Sequence, residues 1–468
     1  MITVLLVLAA GPFVLALLIV CLREPMRVTL PIFAALIPFG GAVSIGPSRY
    51  GSVSSLIGLV LAAGLVLQLI TTRRSASRLS ASIPVWLLFL STAGATALWT
   101  IDISSTISGL TVLASLVLVY VFAAMSHVDQ AAVRRTENGL LVGGVAVVCY
   151  GLYQLVFLGG FPDDVPGAGT VPDGRFGNDL LGPGVQAVSL LLPLVLALSR
   201  AFTQSERARR ILYAAITALM FWGILMTGSR TGTLATGLVL LTMAWSSPPQ
   251  ARRGLWLSVA AGFAAAALVW IYQPAGVASR SYDSATSSSG RTEIWQVGLA
   301  ACSNYCVYGA GWGTYPQVYA ETQASVPRAR VLVGDEGSYQ PHNLWLLAVV
   351  ELGLPGLVLL TWGLGQGAVE ALRLPREIRG PPLSALVGLI FAVFFLSSME
   401  FKFFWMVLIM VALYRNLAES ESSDPLAVSE RASGTGHAAV GSSVVRSRDK
   451  RFVVRAPRPR GPGLSGPV

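Results

Sequence analysis

His342 is one of three histidines in the 468-residue chain, and it stands at the threshold of an apolar run in YQPHNLWLLAVVELGLPGL (339–357). An imidazole titrates near neutrality, so at a water boundary it can take a proton from a hydroxyl as that hydroxyl attacks. A structural histidine at a helix end is the plain alternative. His127 lies at the opposite end of the apolar segments and His437 in the polar tail, so neither can work with it. Pro341 suits a first helical turn, which would hold His342 at the boundary. Glu351 follows nine residues later, about 13 Å deeper and on the opposite helix face, so it is not expected to contact His342. It reads as an inward-facing, hydrogen-bonded or protonated structural group whose partner the sequence does not name.

Two arginines have the right setting for a phosphate. Arg230 sits in the very short turn TGSRTG (227–232), where Gly228 and Gly232 permit a sharp reversal. A guanidinium fixed there suits bidentate phosphate binding; snorkelling to lipid headgroups is the alternative. In SGRTEIW, Gly290 as N-cap with Glu293 at the third position predicts a helix start, with Ile294, Trp295, Leu299 and Cys302 on one apolar face. Arg291 in that first turn opposes the helix dipole unless an anion is bound nearby; pairing with Glu293 is the alternative. Arg175 belongs to a further polar segment, GRFGNDLLGPG (174–184).

Other clusters are weaker. Asp163, Asp164, Asp173 and Asp179 are separated by Pro and Gly, and no zinc-type His/Cys spacing occurs, so neither a metal nor a cofactor is expected. GAGWGTY (309–315) follows no strand and reads as a tight turn between loop helices, not a nucleotide loop. Cys302 and Cys306, four apart, leave a disulfide open, while Cys21 and Cys149 read as packing residues.

These groups must be positioned by helices. The chain is 54% hydrophobic and 12% charged, with a mean hydropathy of +0.65, against roughly 25% charged residues in soluble domains. Apolar runs of bilayer-spanning length recur, which predicts an all-α, polytopic transmembrane bundle of about 12–13 spans. Candidates lie near 2–22, 28–46, 52–71, 82–99, 106–126, 139–158 and 182–199. Further ones lie near 210–227, 231–246, 254–272, 342–364, 382–397 and 402–415. The organisation expected is an N-terminal bundle (1–272), a large loop with short helices (273–341), C-terminal spans (342–415) and a disordered tail (416–468).

Alternate connections carry the arginines: Arg23 and Arg27, Arg73 and Arg74, Arg134 and Arg135, Arg207 to Arg210, Arg252 and Arg253, Arg373 to Arg379. By the positive-inside rule that side is cytoplasmic, with the N-terminus outside and the large loop extracytoplasmic. The net charge of +10 thus reflects topology, and nucleic acid is not an expected partner. Polar groups gather at one face and no internal repeat is visible, which argues against a transporter.

Together RFGN…G, GSRTGTLA, GRTEIWQVGL…YGAGWGTY and HNLWLLAVVELGLPGL, over residues 174–357, resemble the O-antigen ligase superfamily of bacterial envelope proteins. An extra N-terminal span is one departure from its twelve-helix pattern. The resemblance implies a GT-C-like fold in the bacterial inner membrane. It also implies inverting, metal-independent transfer of a glycan from an undecaprenyl-diphosphate-type lipid to a glycan, lipid or protein hydroxyl on the outer face. Carried over, Arg230 and Arg291 would bind the diphosphate, Arg175 would assist, and His342 would orient or deprotonate the acceptor. Asn343, Glu351 and Trp295 would support the site. A polysaccharide polymerase with the same donor shares the pattern.

Overall fold

The computed structural model describes residues 2–40, 52–72, 79–157, 182–272, 291–327, 329, 340–397 and 399–422. Every regular element among them is helical. The order is α1 (Ile2–Arg23), α2 (Leu30–Leu36), α3 (Val53–Thr72), α4 (Ser82–Ala95), α5 (Ile103–Met125) and α6 (Gln130–Phe157). Then come α7 (Gly182–Ser189), α8 (Leu191–Thr203), α9 (Arg207–Met226), α10 (Arg230–Ser246) and α11 (Pro249–Tyr272). Two shorter helices, α12 (Arg291–Tyr305) and α13 (Tyr315–Thr322), precede α14 (Leu344–Arg373), α15 (Arg376–Ala392) and α16 (Lys402–Ser422).

Among the described residues, eight helical stretches are long and apolar enough to cross a membrane, α7 and α8 counting as one. Of the remaining expected spans, the first is the 22-residue α1, those near 82–99, 231–246 and 382–397 are shorter helices, and the one near 28–46 is described only as far as residue 40. The chain is a polytopic helical membrane protein. The second span departs most from expectation: residues 25–39 pass through π, α and 3-10 geometry in turn. Pro25, Pro31 and Pro38 each remove a backbone donor there. At the other end α16 runs to Ser422, so regular structure continues beyond the boundary expected at 416. The rest of the tail lies outside the described residues.

Close helix contact comes from small residues, since lipid tails leave no hydrophobic drive between helices. Gly139 and Gly143, one turn apart on α6, face α2. A Cβ on them would sit 2.2 Å from the Pro31 carbonyl oxygen and 2.1 Å from that of Ala35. On α14, Gly363 makes room for the buried Trp86 of α4, whose ring meets Trp405 edge-on at 5.1 Å.

Several charged groups inside have partners. Glu137 of α6 pairs with Arg200 at 2.5 Å and accepts from the Tyr414 hydroxyl. Glu370 of α14 accepts from the Ser80 hydroxyl at 2.6 Å and the Ala81 N–H at 3.0 Å. With Arg27 on Asp129, these contacts give Arg27 and Arg200, two of the arginines that alternate in sequence, acidic partners on other elements.

Candidate functional site

The end of the bundle away from these pairs is organised by a break in α14. Gly353 has φ 71° inside the helix, and Pro355 has no N–H to give the Glu351 carbonyl four residues back. The GAGWGTY turn supplies what the helix lacks. Gly311 N–H donates to the Glu351 carbonyl at 3.0 Å and Ala310 N–H to that of Val350 at 2.9 Å, while Leu354 N–H donates to the Cys306 carbonyl at 2.8 Å. Non-helical backbone at membrane depth is tolerated where protein covers it.

Glu351 completes the joint. Its carboxylate accepts from Gly313 N–H at 2.9 Å and Tyr315 N–H at 3.0 Å, and the residue is 2% exposed. The partner missing from the sequence reading is therefore the turn itself. That turn also fastens to the α4–α5 connection, through Trp99 Nε1 to the Gly309 carbonyl (3.2 Å) and Trp312 N–H to the Thr96 hydroxyl (3.2 Å). Asp102 caps α5 and accepts from Gln317 of α13 at 2.9 Å; chiefly the Ser105 hydroxyl holds its carboxyl below the usual range.

From this anchored turn α12 reaches His342. Its buried face is Ile294, Val297, Gly298 and Ala301. Leu299, expected on that face, is 63% exposed, because inward positions recur at three and four residues and Leu299 falls between them. The Trp295 indole donates to the Pro341 carbonyl at 2.7 Å, immediately before His342. Arg291, first residue of α12, is one turn before Trp295 and so shares its face. Gly290 lies outside the described residues, and the cap expected there with it. Cys302 and Cys306 form a disulfide at the end of this helix.

His342 is not in the first turn of α14, contrary to expectation. The helix starts at Leu344 with Asn343 as N-cap, its side chain accepting from Leu346 N–H at 3.0 Å. Pro341 and His342 precede it. His342 has φ 46°, and among the described residues it alone departs to positive φ without being glycine. Histidine enters this region more readily than most residues, and such strain persists where surroundings fix it. The residue is open to solvent, yet protein crowds its ring. Burial, and then the Arg291 charge, push its pKa down to about 4. It is a neutral imidazole at pH 7 beside a cation.

The connection after α15 ties in Arg230. Its Val393 carbonyl accepts from Leu344 N–H at 2.8 Å, and Phe394 and Phe395 meet Trp345 and Trp295 at 5.3 and 6.4 Å. Leu396 comes within 3.7 Å of a Cβ built on Gly184, and the Ser229 hydroxyl within 3.8 Å. Ser229 is the N-cap of α10, accepting from Gly232 N–H at 3.1 Å, and Arg230 is the first residue of that helix, exposed. Segment 393–396 thus lies between the Arg230 turn and the Arg291–His342 pair. Arg175 and the four aspartates lie outside the described residues.

One polar group escaped the sequence reading. The ammonium of Lys402 donates to the hydroxyls of Ser54, Ser55 and Ser52 at 2.9, 3.1 and 3.4 Å. The serines cluster at the start of α3, so SVSS (52–55) was a visible hydroxyl nest, but nothing in sequence pairs it with a residue nearly 350 positions away. No group of three His, Cys, Asp or Glu side chains among the described residues is placed to hold a metal.

Comparison with known proteins finds similarity over this part of the chain. Residues 215–361 match the O-antigen ligase family. The resemblance seen in sequence holds over them. The matched segment runs from within α9 to the far side of the α14 break and contains Arg230, Arg291, His342 and Glu351. The chain is also 27% identical over 279 residues to the exopolysaccharide production protein ExoQ of Rhizobium meliloti (strain 1021). That alignment spans 58% of this chain and 62% of the relative's length.

Proposed function

We propose that the protein transfers a glycan from a polyprenyl-diphosphate lipid to an acceptor hydroxyl at the outer face of the bacterial inner membrane. The observation that carries the reading is the placement of Arg291 beside a neutral, strained His342 at one rim of a membrane bundle. Arg230 lies across the 393–396 segment from them. A disulfide at the same end fits an oxidising compartment.

The acceptor oxygen attacks the anomeric carbon while the bond from that carbon to the diphosphate breaks, and its electron pair stays on the leaving group. The hydroxyl proton passes to His342. A single displacement inverts the anomeric centre. The guanidiniums of Arg230 and Arg291 stabilise charge growing on the diphosphate, a good leaving group that asks for no further activation. A diphosphate on Arg291 also offsets the cation that disfavours protonation of His342, so the imidazole becomes a stronger base when donor is bound. The break in α14 and the GAGWGTY joint hold this constellation on rigid elements, and Trp295 and Asn343 fix the backbone on either side of His342.

A second reading changes only the acceptor. The similarity to a protein of exopolysaccharide production supports chain growth, in which the hydroxyl belongs to another lipid-linked glycan. Complementation of a deletion strain with His342→Ala, Arg230→Ala and Arg291→Ala tests the chemistry. The expected result is normal insertion with loss of polymeric or acceptor-linked glycan. The length of the lipid-linked glycan separates the readings, since loss of a polymerase leaves single repeats and loss of a ligase leaves long chains. Full activity of the His342 variant removes it from the mechanism.

A further inference from the structure

At the arginine-bearing end, away from the proposed transfer site, a cavity of about 740 Å³ runs between α8, α9, α10 and α11. Packing leaves it there, since α9 lies mainly on α8 and α11 mainly on α10. A small apolar cluster, Leu198, Leu240 and Met243 among it, stands apart from the main core on this side. The lining changes character along its length. Thr203, Arg210 and Gln250 line one end, and Leu194, Phe221 and Ala265 line the other. From Arg210 to Phe221 along α9 is about 16 Å at 1.5 Å per residue, roughly half of a ~30 Å hydrocarbon core. The cavity is therefore one leaflet deep, with its polar end at the water boundary and its apolar end near the midplane.

That gradient matches an amphiphile, and the charges specify which. Arg210 is exposed, giving one guanidinium contact to the Gln204 carbonyl at 3.1 Å. Arg207 and Arg209 lie near it in sequence, Arg252 and Arg253 follow the cavity-lining Gln250 and Ala251 at the start of α11, and Glu206, paired with Arg209, is the acid of the α8–α9 connection. We propose that this cavity binds an anionic phospholipid, with an acyl chain between α9 and α11 and the phosphate on Arg210. A chain there fills apolar wall that would otherwise lack contact partners, and the phosphate answers an excess of cations. The site is independent of glycan transfer: α9 carries Arg210 near one end and leads to Arg230 at the other, so one can fail while the other stands.

The test uses the full-length protein purified in mild detergent. Retained lipid is identified by native mass spectrometry, and thermal unfolding is followed with added phosphatidylglycerol or phosphatidylcholine. The expected result is one retained anionic phospholipid and a larger rise in unfolding temperature with phosphatidylglycerol. Arg210→Gln, an exposed change compatible with folding, should weaken phosphatidylglycerol binding about tenfold, as expected for loss of a charge-assisted contact. Ala218→Phe, which fills the cavity wall, should abolish retention, and Arg207→Gln should leave it. Equal response to both lipids, a retained polyisoprenoid instead of a phospholipid, or equal effects of Arg210→Gln and Arg207→Gln would each overturn the proposal.

Discussion

His342 carries two costs at once, a left-handed backbone and a ring held neutral beside a cation. Both have measurable consequences. With its pKa lowered to about 4, the imidazole stays unprotonated through mildly acid pH, so under the proposed reaction the acid limb of kcat/KM should fall well below the ordinary value near 6.5. Arg291→Gln should move that limb upward, because a neighbouring positive charge is removed. Between pH 6.5 and 4 the unfolded chain binds a proton that the folded one refuses, so this residue makes stability fall as pH drops through that window. His342→Asn should flatten that dependence, and denaturation followed over this range measures it. Glu351 acts differently. Glu351→Gln leaves one amide oxygen for two buried N–H donors, of Gly313 and Tyr315, and an orphaned buried donor costs about 1–3 kcal/mol. A drop in unfolding temperature with loss of transfer is expected, and unchanged stability would show that the carboxylate does not hold the turn.

The helices were legible where hydrophobicity alone decides them, because a bilayer demands long apolar runs and no tertiary context alters that. Their interruptions were harder. ELGLPG places Gly353 two residues before Pro355, which signals a break, but only contact with residues 306–315 says what fills it. The same long-range dependence explains Leu299, which is apolar yet turned outward, and His342, which the strong cap at Asn343 leaves outside the helix. Arg291 was recognisable as a first-turn arginine and Arg230 as part of a tight turn between spans, whereas their relation through Val393–Leu396 needs the tertiary structure. The α2–α6 contact gives a prediction at this scale. Gly143→Val should force the helices apart, since a Cβ would lie 2.1 Å from the Ala35 carbonyl oxygen. Fluorescence-detected gel filtration should show a marked loss of monodisperse protein, and wild-type behaviour would contradict so close an approach.

Across the whole molecule the polar groups divide between two ends with different tasks. One end carries Arg27, Arg200 and Arg415 in ion pairs that tie helices together; the other carries the strained histidine with Arg291, the disulfide and the broken helix. The orientation proposed above makes the second end external. In a background with Cys21 and Cys149 replaced by alanine, a membrane-impermeant maleimide should label Ser325→Cys in intact cells and Ser205→Cys only after permeabilisation. The reverse pattern would invert the topology and with it the access of acceptor to His342.

Glycan transfer is tested most directly with purified protein in liposomes, given a polyprenyl-diphosphate glycan and followed for release of free lipid diphosphate together with formation of a new glycosidic bond. The account predicts turnover by wild-type protein and a fall of at least about a hundredfold for His342→Ala at equal reconstitution, the scale of a lost general base. Undiminished turnover in that variant, or no consumption of lipid-linked donor by the wild type with any glycan acceptor, would contradict it.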